Sequence, residues 1–292
     1  MRETLLSRSP IDTIPESVWK RTGALNTWGT NAIEGNALTR RDVERLLLEQ
    51  RSVANRPVPD VLETLQHETA FRGLLQRRAA PLRRDTALEL HRIVFQTVLP
   101  TAGAWRRVNV GIAGARFTPP RMERVPGLME DWEREYSQRD LRAEDVFSLG
   151  AWMHYQFEAV HPFEDGNGGV GRLLLNLHFL RHNWPPVHVL PSDRARYLKA
   201  LDAEHAGDRD VFEEFLREAM GRSMLDLLNQ LGTEDDRLLT TKKLARRGPY
   251  SAKYLALRMS QGELPGLKVS GDWQSSPRAL RTYERLVGRE NA

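Results

Sequence analysis

The chain has 292 residues, 40% hydrophobic and 28% charged, enough for one sizeable domain and a second, smaller one. It holds no run of eighteen apolar residues, its opening Met1-Arg-Glu-Thr-Leu-Leu-Ser7 is too polar for a secretory signal, and it has no cysteine. A membrane span, disulfides and thiolate metal sites are therefore not expected, and the composition fits a cytoplasmic chain. The net charge of +4 is unevenly spread, because residues 237–292 carry twelve Lys or Arg against four Asp or Glu while the remainder is net acidic. A basic segment of this kind attracts polyanions.

Up to about residue 232 the apolar spacing predicts helices. They cover Asp42 to Leu48, Val61 to Leu75, Thr86 to Val98, Leu128 to Tyr136, Val146 to Val160, Leu173 to Leu180, Tyr197 to Leu201 and Phe212 to Leu231. Thr39 and Ser192 are candidate N-caps. Val108 to Phe117, rich in Gly and β-branched residues and closed by Thr118-Pro-Pro120, reads instead as a short hairpin or flap. A linker is expected near Gly232-Thr-Glu-Asp-Asp236. Beyond it come a helix–turn–helix-like stretch from Leu239 to Met259, a turn at Leu264-Pro-Gly266, two short apolar pieces around Gly271-Asp272 and a last helix from about Pro277.

The densest chemistry lies in His161-Pro-Phe-Glu-Asp-Gly-Asn-Gly-Gly-Val-Gly-Arg172, between two apolar helical runs. Four glycines in six positions (Gly166, Gly168, Gly169 and Gly171) allow positive φ and inward-facing N–H groups, and such a nest opening into a helix N-terminus binds anions. Asp165 suits an anion site only if a cation bridges it to phosphate, as Mg²⁺ does. His161 can act as a base near neutrality, and Arg172 supplies a permanent charge for a terminal phosphate. Together these match phosphoryl or nucleotidyl transfer. A glycine-rich turn with a capping Asn or Asp has the same pattern, and spacing alone does not separate the two. His178 and His182 have metal-ligand spacing but no third ligand, so a structural role is expected for them, as for the isolated His67, His91 and His154. The tryptophans at 19, 28, 105, 132, 152 and 184 are expected in the core.

The loop resembles the signature of the Fic family, His-x-Phe-x-Asp/Glu-Gly-Asn-Gly-Arg-x-x-Arg, at every defined position but one. Ala102-Gly-Ala-Trp-Arg106, the flap, Pro119-Pro120, Val125-Pro126, Asp193-Arg194 and Tyr197 extend the resemblance over about residues 20 to 230. It implies an all-α Fic bundle with a small hairpin flap over residues 1–232, acting as a protein adenylyltransferase. In that activity AMP moves from ATP, with Mg²⁺, to a Ser, Thr or Tyr hydroxyl of a target protein or of the enzyme itself. The resemblance implies His161 as base, Asp165 as metal ligand and Gly166, Asn167 and Gly168 as phosphate cradle. It further puts Arg172 at the outermost phosphate, Tyr197 in the nucleotide pocket and Phe163 as anchor of the loop. Gly169 departs from the pattern where the family has its first arginine, and His205 stands where some relatives carry an asparagine. The nucleotide donor is left open by both.

Thr30-Asn-Ala-Ile-Glu34-Gly35 resembles the family's inhibitory motif, and within an N-terminal inhibitory segment of about residues 26–40 it would set Glu34 against Arg172. Removal of AMP is the alternative activity that this arrangement implies. Residues 237–292 resemble a winged helix–turn–helix, with a recognition helix from near Ser251 that brings Lys253 and Tyr254 toward a DNA groove while Lys242, Arg246 and Arg247 meet phosphates. A DNA-binding regulator with a weakly active core is thus a further alternative, and a homodimer is compatible with either.

Overall fold

The computed structural model describes residues 1–112, 117–269 and 271–290, the last three by their backbone alone. The tip of the expected flap, residues 113–116, lies outside the described residues. Its flanks, 108–112 and 117, carry no strand. The chain divides into two compact units, one of residues 19–216 and one that joins residues 1–18 to residues 217–292.

The larger unit is helical. Its helices are α2 (Glu16–Ile33), α3 (Arg40–Leu47), α4 (Val58–Arg77), α5 (Arg84–Phe95), α6 (Val125–Leu141), α7 (Val146–Val160), α8 (Asn167–Arg181), α9 (Arg194–His205) and the start of α10 (Asp210–Leu231). Helix α8 runs through the middle, packed by α4, α5 and α7. Every residue from Gly169 to Leu180 is buried, as expected of a helix apolar on all sides. Thr39 caps α3 through a reciprocal pair with Asp42. Ser192 caps nothing: it lies within a 3-10 turn, and the Asp193 carboxylate instead accepts from the Leu190 amide at 3.1 Å. His178 donates to the Val146 carbonyl at 2.7 Å and accepts from the Tyr136 hydroxyl at 2.9 Å. That engagement of both ring nitrogens explains why its spacing to His182 marks no metal site. Of the tryptophans, Trp19, Trp132 and Trp152 are buried and Trp28, Trp105 and Trp184 half-buried.

Helix α2 escapes the periodicity argument because much of what it buries, beside Val18, Trp19, Ala24 and Ile33, is polar. Thr22, Asn26, Thr27, Thr30 and Asn31 are all almost fully buried, and hydrogen bonds replace apolar contact. Asn26 donates to the Val187 carbonyl at 3.1 Å, Thr27 pairs with His67 at 3.0 Å, and Asn31 donates to Thr64 at 3.2 Å. Gly29 has a packing reason, since a Cβ there would stand 2.7 Å from the Val189 carbonyl oxygen. At the negative end of the helix dipole, Arg194 donates to the Ile33 carbonyl at 3.2 Å.

In the smaller unit, α1 (Arg2–Arg8) and the end of α10 accompany α11 (Thr241–Ala245), α12 (Ala252–Ser260), α13 (Pro277–Glu290) and a three-stranded antiparallel sheet. The strands β1 (Leu239–Thr240), β2 (Leu267–Val269) and β3 (Asp272–Ser275) lie in the order β1-β3-β2, with Lys268 opposite Trp273. Ser251 caps α12, accepting from the Tyr254 amide at 3.2 Å. Tyr254 does not project outward as expected of a groove-facing residue. Its ring stacks on Tyr250 and its hydroxyl pairs with that of Tyr283 at 2.8 Å. Leu225, Leu244, Leu255, Leu264 and Leu280 form the core of this unit.

The segment expected as a linker is an ordered turn. Asp236 is 1% exposed, and its carboxylate accepts from Arg8, from Arg278 at 2.6 Å and from Thr233. The acidic run there serves ion pairing rather than solvation. These partners hold the Asp236 carboxyl well below the usual carboxylate range, so its contribution is present above about pH 4 and is lost as pH falls through its folded value. Asp236→Ala is expected to destabilise this unit by about 2 kcal/mol, a figure kept below that of a fully buried pair because both arginines are partly exposed. Urea unfolding at pH 7 measures it, and the difference from wild type should shrink in acid.

Candidate active site

The loop from His161 to Arg172 takes its shape from two left-handed residues. His161 ends α7 with φ 50°, and Gly166 precedes α8 with φ 78°. The sequence places the start of the second helix after Arg172, whereas α8 begins six residues earlier, at Asn167. Gly168, Gly169 and Gly171 are therefore helical and contribute no positive φ. What Gly168 and Gly171 contribute is the absence of a side chain. At Gly166 both needs coincide, because a Cβ would also stand 2.2 Å from the Phe95 ring. Gly166→Ala is expected to cost 1 kcal/mol or more in folding, at least about 1 from backbone strain alone, and to disorder the loop. Thermal unfolding and amide exchange at residues 161–168 would show it.

Buried side chains hold the loop from beneath. Asn167, 2% exposed, accepts from the Phe163 amide at 2.8 Å and donates to the Phe163 carbonyl at 3.0 Å. Its side chain is thus occupied within the loop, and only its backbone can face a phosphate. Phe163 is fully buried and stacks on His91, with ring centroids 3.8 Å apart. His91 accepts from the Gly103 amide at 2.8 Å through Nδ1, which leaves its Nε2–H to donate to the Asp165 carbonyl at 3.1 Å. Burial pushes the His91 imidazole down to about 4, so it is neutral. Arg106 donates to the His161 carbonyl at 2.8 Å and to the Val108 and Pro120 carbonyls, tying the loop to the flanks of the flap. Neither His91 nor Arg106 stands out in the sequence as part of the site. The long-range pairing that recruits them has no local signature.

His161 itself is half-buried, and its Nδ1 faces the Glu158 carbonyl at 3.4 Å. A carbonyl only accepts, so the proton sits on Nδ1 and the Nε2 lone pair is available. Burial lowers the imidazole below its ordinary value, which keeps it neutral at pH 7. The Asp165 side chain is exposed and accepts from the Gly166 amide at 2.7 Å through one oxygen. Among the described residues no group of three ligands gathers around it. A single exposed carboxylate suits Mg²⁺, which takes most of its remaining ligands from water and phosphate.

Arg172 lies 3% exposed on α8. It donates to Glu34 Oε1 at 2.6 Å and to the Thr30 carbonyl at 3.2 Å, and its guanidinium sits 5.8 Å from the centre of the Tyr197 ring. Tyr197 is buried, and its hydroxyl meets His154 Nε2 at 2.7 Å. A Cβ on Gly168 would stand 2.2 Å from Glu34 Oε1. The Glu34 carboxylate therefore rests against the first turn of α8, where the helix dipole and unpaired amides favour an anion. The geometry brings together Glu34, Arg172, Gly168 and Tyr197, with His161 and Asp165 on the adjoining loop. A Cβ at Gly169 would meet nothing closer than Thr30 Cγ2 at 3.9 Å, so sterics do not exclude a side chain there. His205 stacks with Phe117 and bonds the Tyr155 hydroxyl at 2.7 Å.

Residues 81–179 match the Fic/DOC family. The chain carries a Fic domain. Protein adenylyltransferase fic-1 from Caenorhabditis elegans is 29% identical over 227 residues, 76% of this chain and 44% of the relative. The Caenorhabditis briggsae protein of the same name is 31% identical over 202 residues, 68% of this chain and 39% of the relative. The chain thus spans less than half the length of these relatives. A Fic-domain signaling protein from Bacteroides thetaiotaomicron shares the fold, with a TM-score of 0.70 at 23% identity, covering 78% of this chain and 94% of that one. A fragment of Fic-1 from C. elegans has a TM-score of 0.65 at 27% identity, covering 78% and 66%. The similarity thus extends well beyond the Fic loop, to most of the helical bundle.

Proposed function

We propose that this Fic domain transfers AMP from ATP to a hydroxyl side chain of a protein, and that Glu34 restrains the reaction. The observation that carries the reading is the Glu34 carboxylate on Arg172 and Gly168, an anion seated where a helix N-terminus and a buried guanidinium converge. A nucleotide phosphate has the same requirements and takes that place when Glu34 moves away. The similarity to proteins named adenylyltransferases points to the same activity.

In the proposed step the target hydroxyl oxygen attacks the α-phosphorus of ATP. A new P–O bond forms, the bond to the β-phosphate breaks, and pyrophosphate leaves. The hydroxyl proton passes to His161 Nε2. The amides at the start of α8 and Arg172 bear the charge of the departing phosphates. Asp165 would hold Mg²⁺, which when bound neutralises phosphate charge.

The experiment is mass spectrometry of a Glu34→Gly variant after incubation with mixed nucleoside triphosphates and candidate target proteins. Addition of AMP to a hydroxyl side chain supports the reading. Addition of another nucleotide would move the donor, as the glycine at 169 allows, and loss of AMP from a pre-modified target would favour removal over transfer. No addition under any of these conditions sinks the proposal.

A second reading concerns the basic segment. Of its twelve cations, Arg237, Arg258, Arg278 and Arg281 pair with acids, while Lys242, Lys243, Arg246, Arg247, Lys253 and Lys268 are exposed. That surplus suits a phosphate backbone. For the full chain, binding to duplex DNA should weaken steeply with salt, and the slope should fall when Arg246 and Arg247 are replaced by alanine.

A further inference from the structure

Two carboxyl groups rest on α8 beside Arg172, and each occupies the space left by a glycine. Glu34 Oε1 lies 2.2 Å from where a Cβ of residue 168 would stand, and Glu158 Oε1 lies 2.2 Å from where a Cβ of residue 171 would stand. Glu158 hangs from the last turn of α7 with its side chain 14% exposed. Its Oε1 is out of contact with solvent and has no hydrogen-bond partner among the described residues. The closest basic nitrogen is His154 Nε2 at 3.9 Å, and that atom already pairs with the Tyr197 hydroxyl at 2.7 Å. Arg172 Nε is likewise buried without a partner. An ionised carboxylate in such a place carries a large desolvation cost, whereas the protonated acid does not.

We propose that Glu158 is a positioning residue for the nucleotide site, a second acid partner of Arg172 that stays uncharged while an anion occupies the Gly168 seat and competes for the guanidinium once it ionises. This rests on the reading of Arg172 and Gly168 as a phosphate seat. Four titratable groups face Glu158: Arg172 from α8, Glu34 from the end of α2, His154 from its own helix and Tyr197 from α9. Burial pushes the Glu158 carboxyl up to about 8, with Arg172 pulling it down and the charge of Glu34 pushing it up. Burial holds His154 neutral, down to about 3, and raises the Tyr197 phenol out of range. Of Glu158, His154 and Tyr197, it is Glu158 that titrates nearest neutrality. A polyphosphate in place of Glu34 carries more negative charge, so the Glu158 proton is held more tightly in the complex than without nucleotide. By linkage, affinity must fall as pH rises through the lower of the two values.

The test is calorimetric titration of ATP into Glu34→Gly and into Glu34→Gly/Glu158→Gln, from about pH 6.5 to about pH 9.5. A separation of one pKa unit between bound and unbound states corresponds to a tenfold change. The Kd of the single variant is therefore expected to rise about tenfold relative to that of the double variant across this range. Repeating the titration in buffers of different ionisation enthalpy must show proton uptake by the single variant, a readout that does not require the double variant to fold. Parallel pH profiles with ATP bound by both, or binding without proton uptake, overturn the role of Glu158 alone. Failure of Glu34→Gly to bind ATP at any pH overturns the phosphate seat itself, and this inference with it.

Discussion

Replacing His161 by alanine in a Glu34→Gly background is expected to lower transfer of label from ATP by about 10²–10⁴-fold, the usual contribution of a positioned general base. The loss should appear in kcat and leave the affinity for ATP within about twofold, because the geometry assigns the phosphates to α8 and not to the imidazole. The fold should be untouched. The loop is held by Asn167, His91 and Arg106, which bond the backbone around His161 and not its ring. The pH profile supplies a second check. Burial lowers the His161 imidazole in the nucleotide-free protein, so the acid limb of kcat/KM should lie below the ordinary imidazole value of about 6.5, with activity present above it and lost as pH falls through it. A limb at the ordinary value, or ATP binding lost together with transfer, would place His161 elsewhere in the mechanism.

The opposite effect is expected from Glu34→Gly alone. A hydrogen bond between charged groups contributes about 1.5–3 kcal/mol, which translates into roughly a 10- to 100-fold gain in transfer if the carboxylate must leave before phosphate can enter. Half of the Glu34 side chain is already near solvent, at 43% exposure, so the lower end of that range is the firmer expectation. Initial rates of self-labelling or target labelling measure it. Equal labelling by wild type and variant would show that Glu34 is a structural partner of Arg172 and no brake. Glu34→Gln separates charge from bulk, and its rate should fall between the two.

Much of the larger unit is legible from spacing alone, because α3 to α10 bury apolar faces. The loop is legible because His161, Asp165 and Arg172 place their chemistry within twelve consecutive positions. Helix α2 is not, since Thr22, Asn26, Thr27 and Asn31 bury a polar seam that looks solvated in one dimension. The start of α8 is misplaced for a related reason. Four glycines in six positions read as a flexible loop, yet Gly168, Gly169 and Gly171 are helical, and Gly168 and Gly171 serve close contact. Glu158 and His91 are invisible until the fold sets a carboxyl against Gly171 and a ring against Phe163. Asp236 belongs to the same class, an acid in a polar stretch whose partners, Arg8 and Arg278, lie far away in sequence.

Those helical glycines bear on how this protein could be stabilised. Replacing a helical glycine by alanine where the backbone is compatible ordinarily gains about 0.4–1 kcal/mol, and a designer scanning α8 would try all three. Only Gly169, where the added carbon has room, should respond that way. At 168 the methyl would collide with the Glu34 carboxylate, and if that carboxylate is the proposed brake, the result is a more helical and less controlled protein. At 171 it would collide with a buried acid. One turn of one helix thus separates a tolerant position from two whose emptiness seats a carboxyl group.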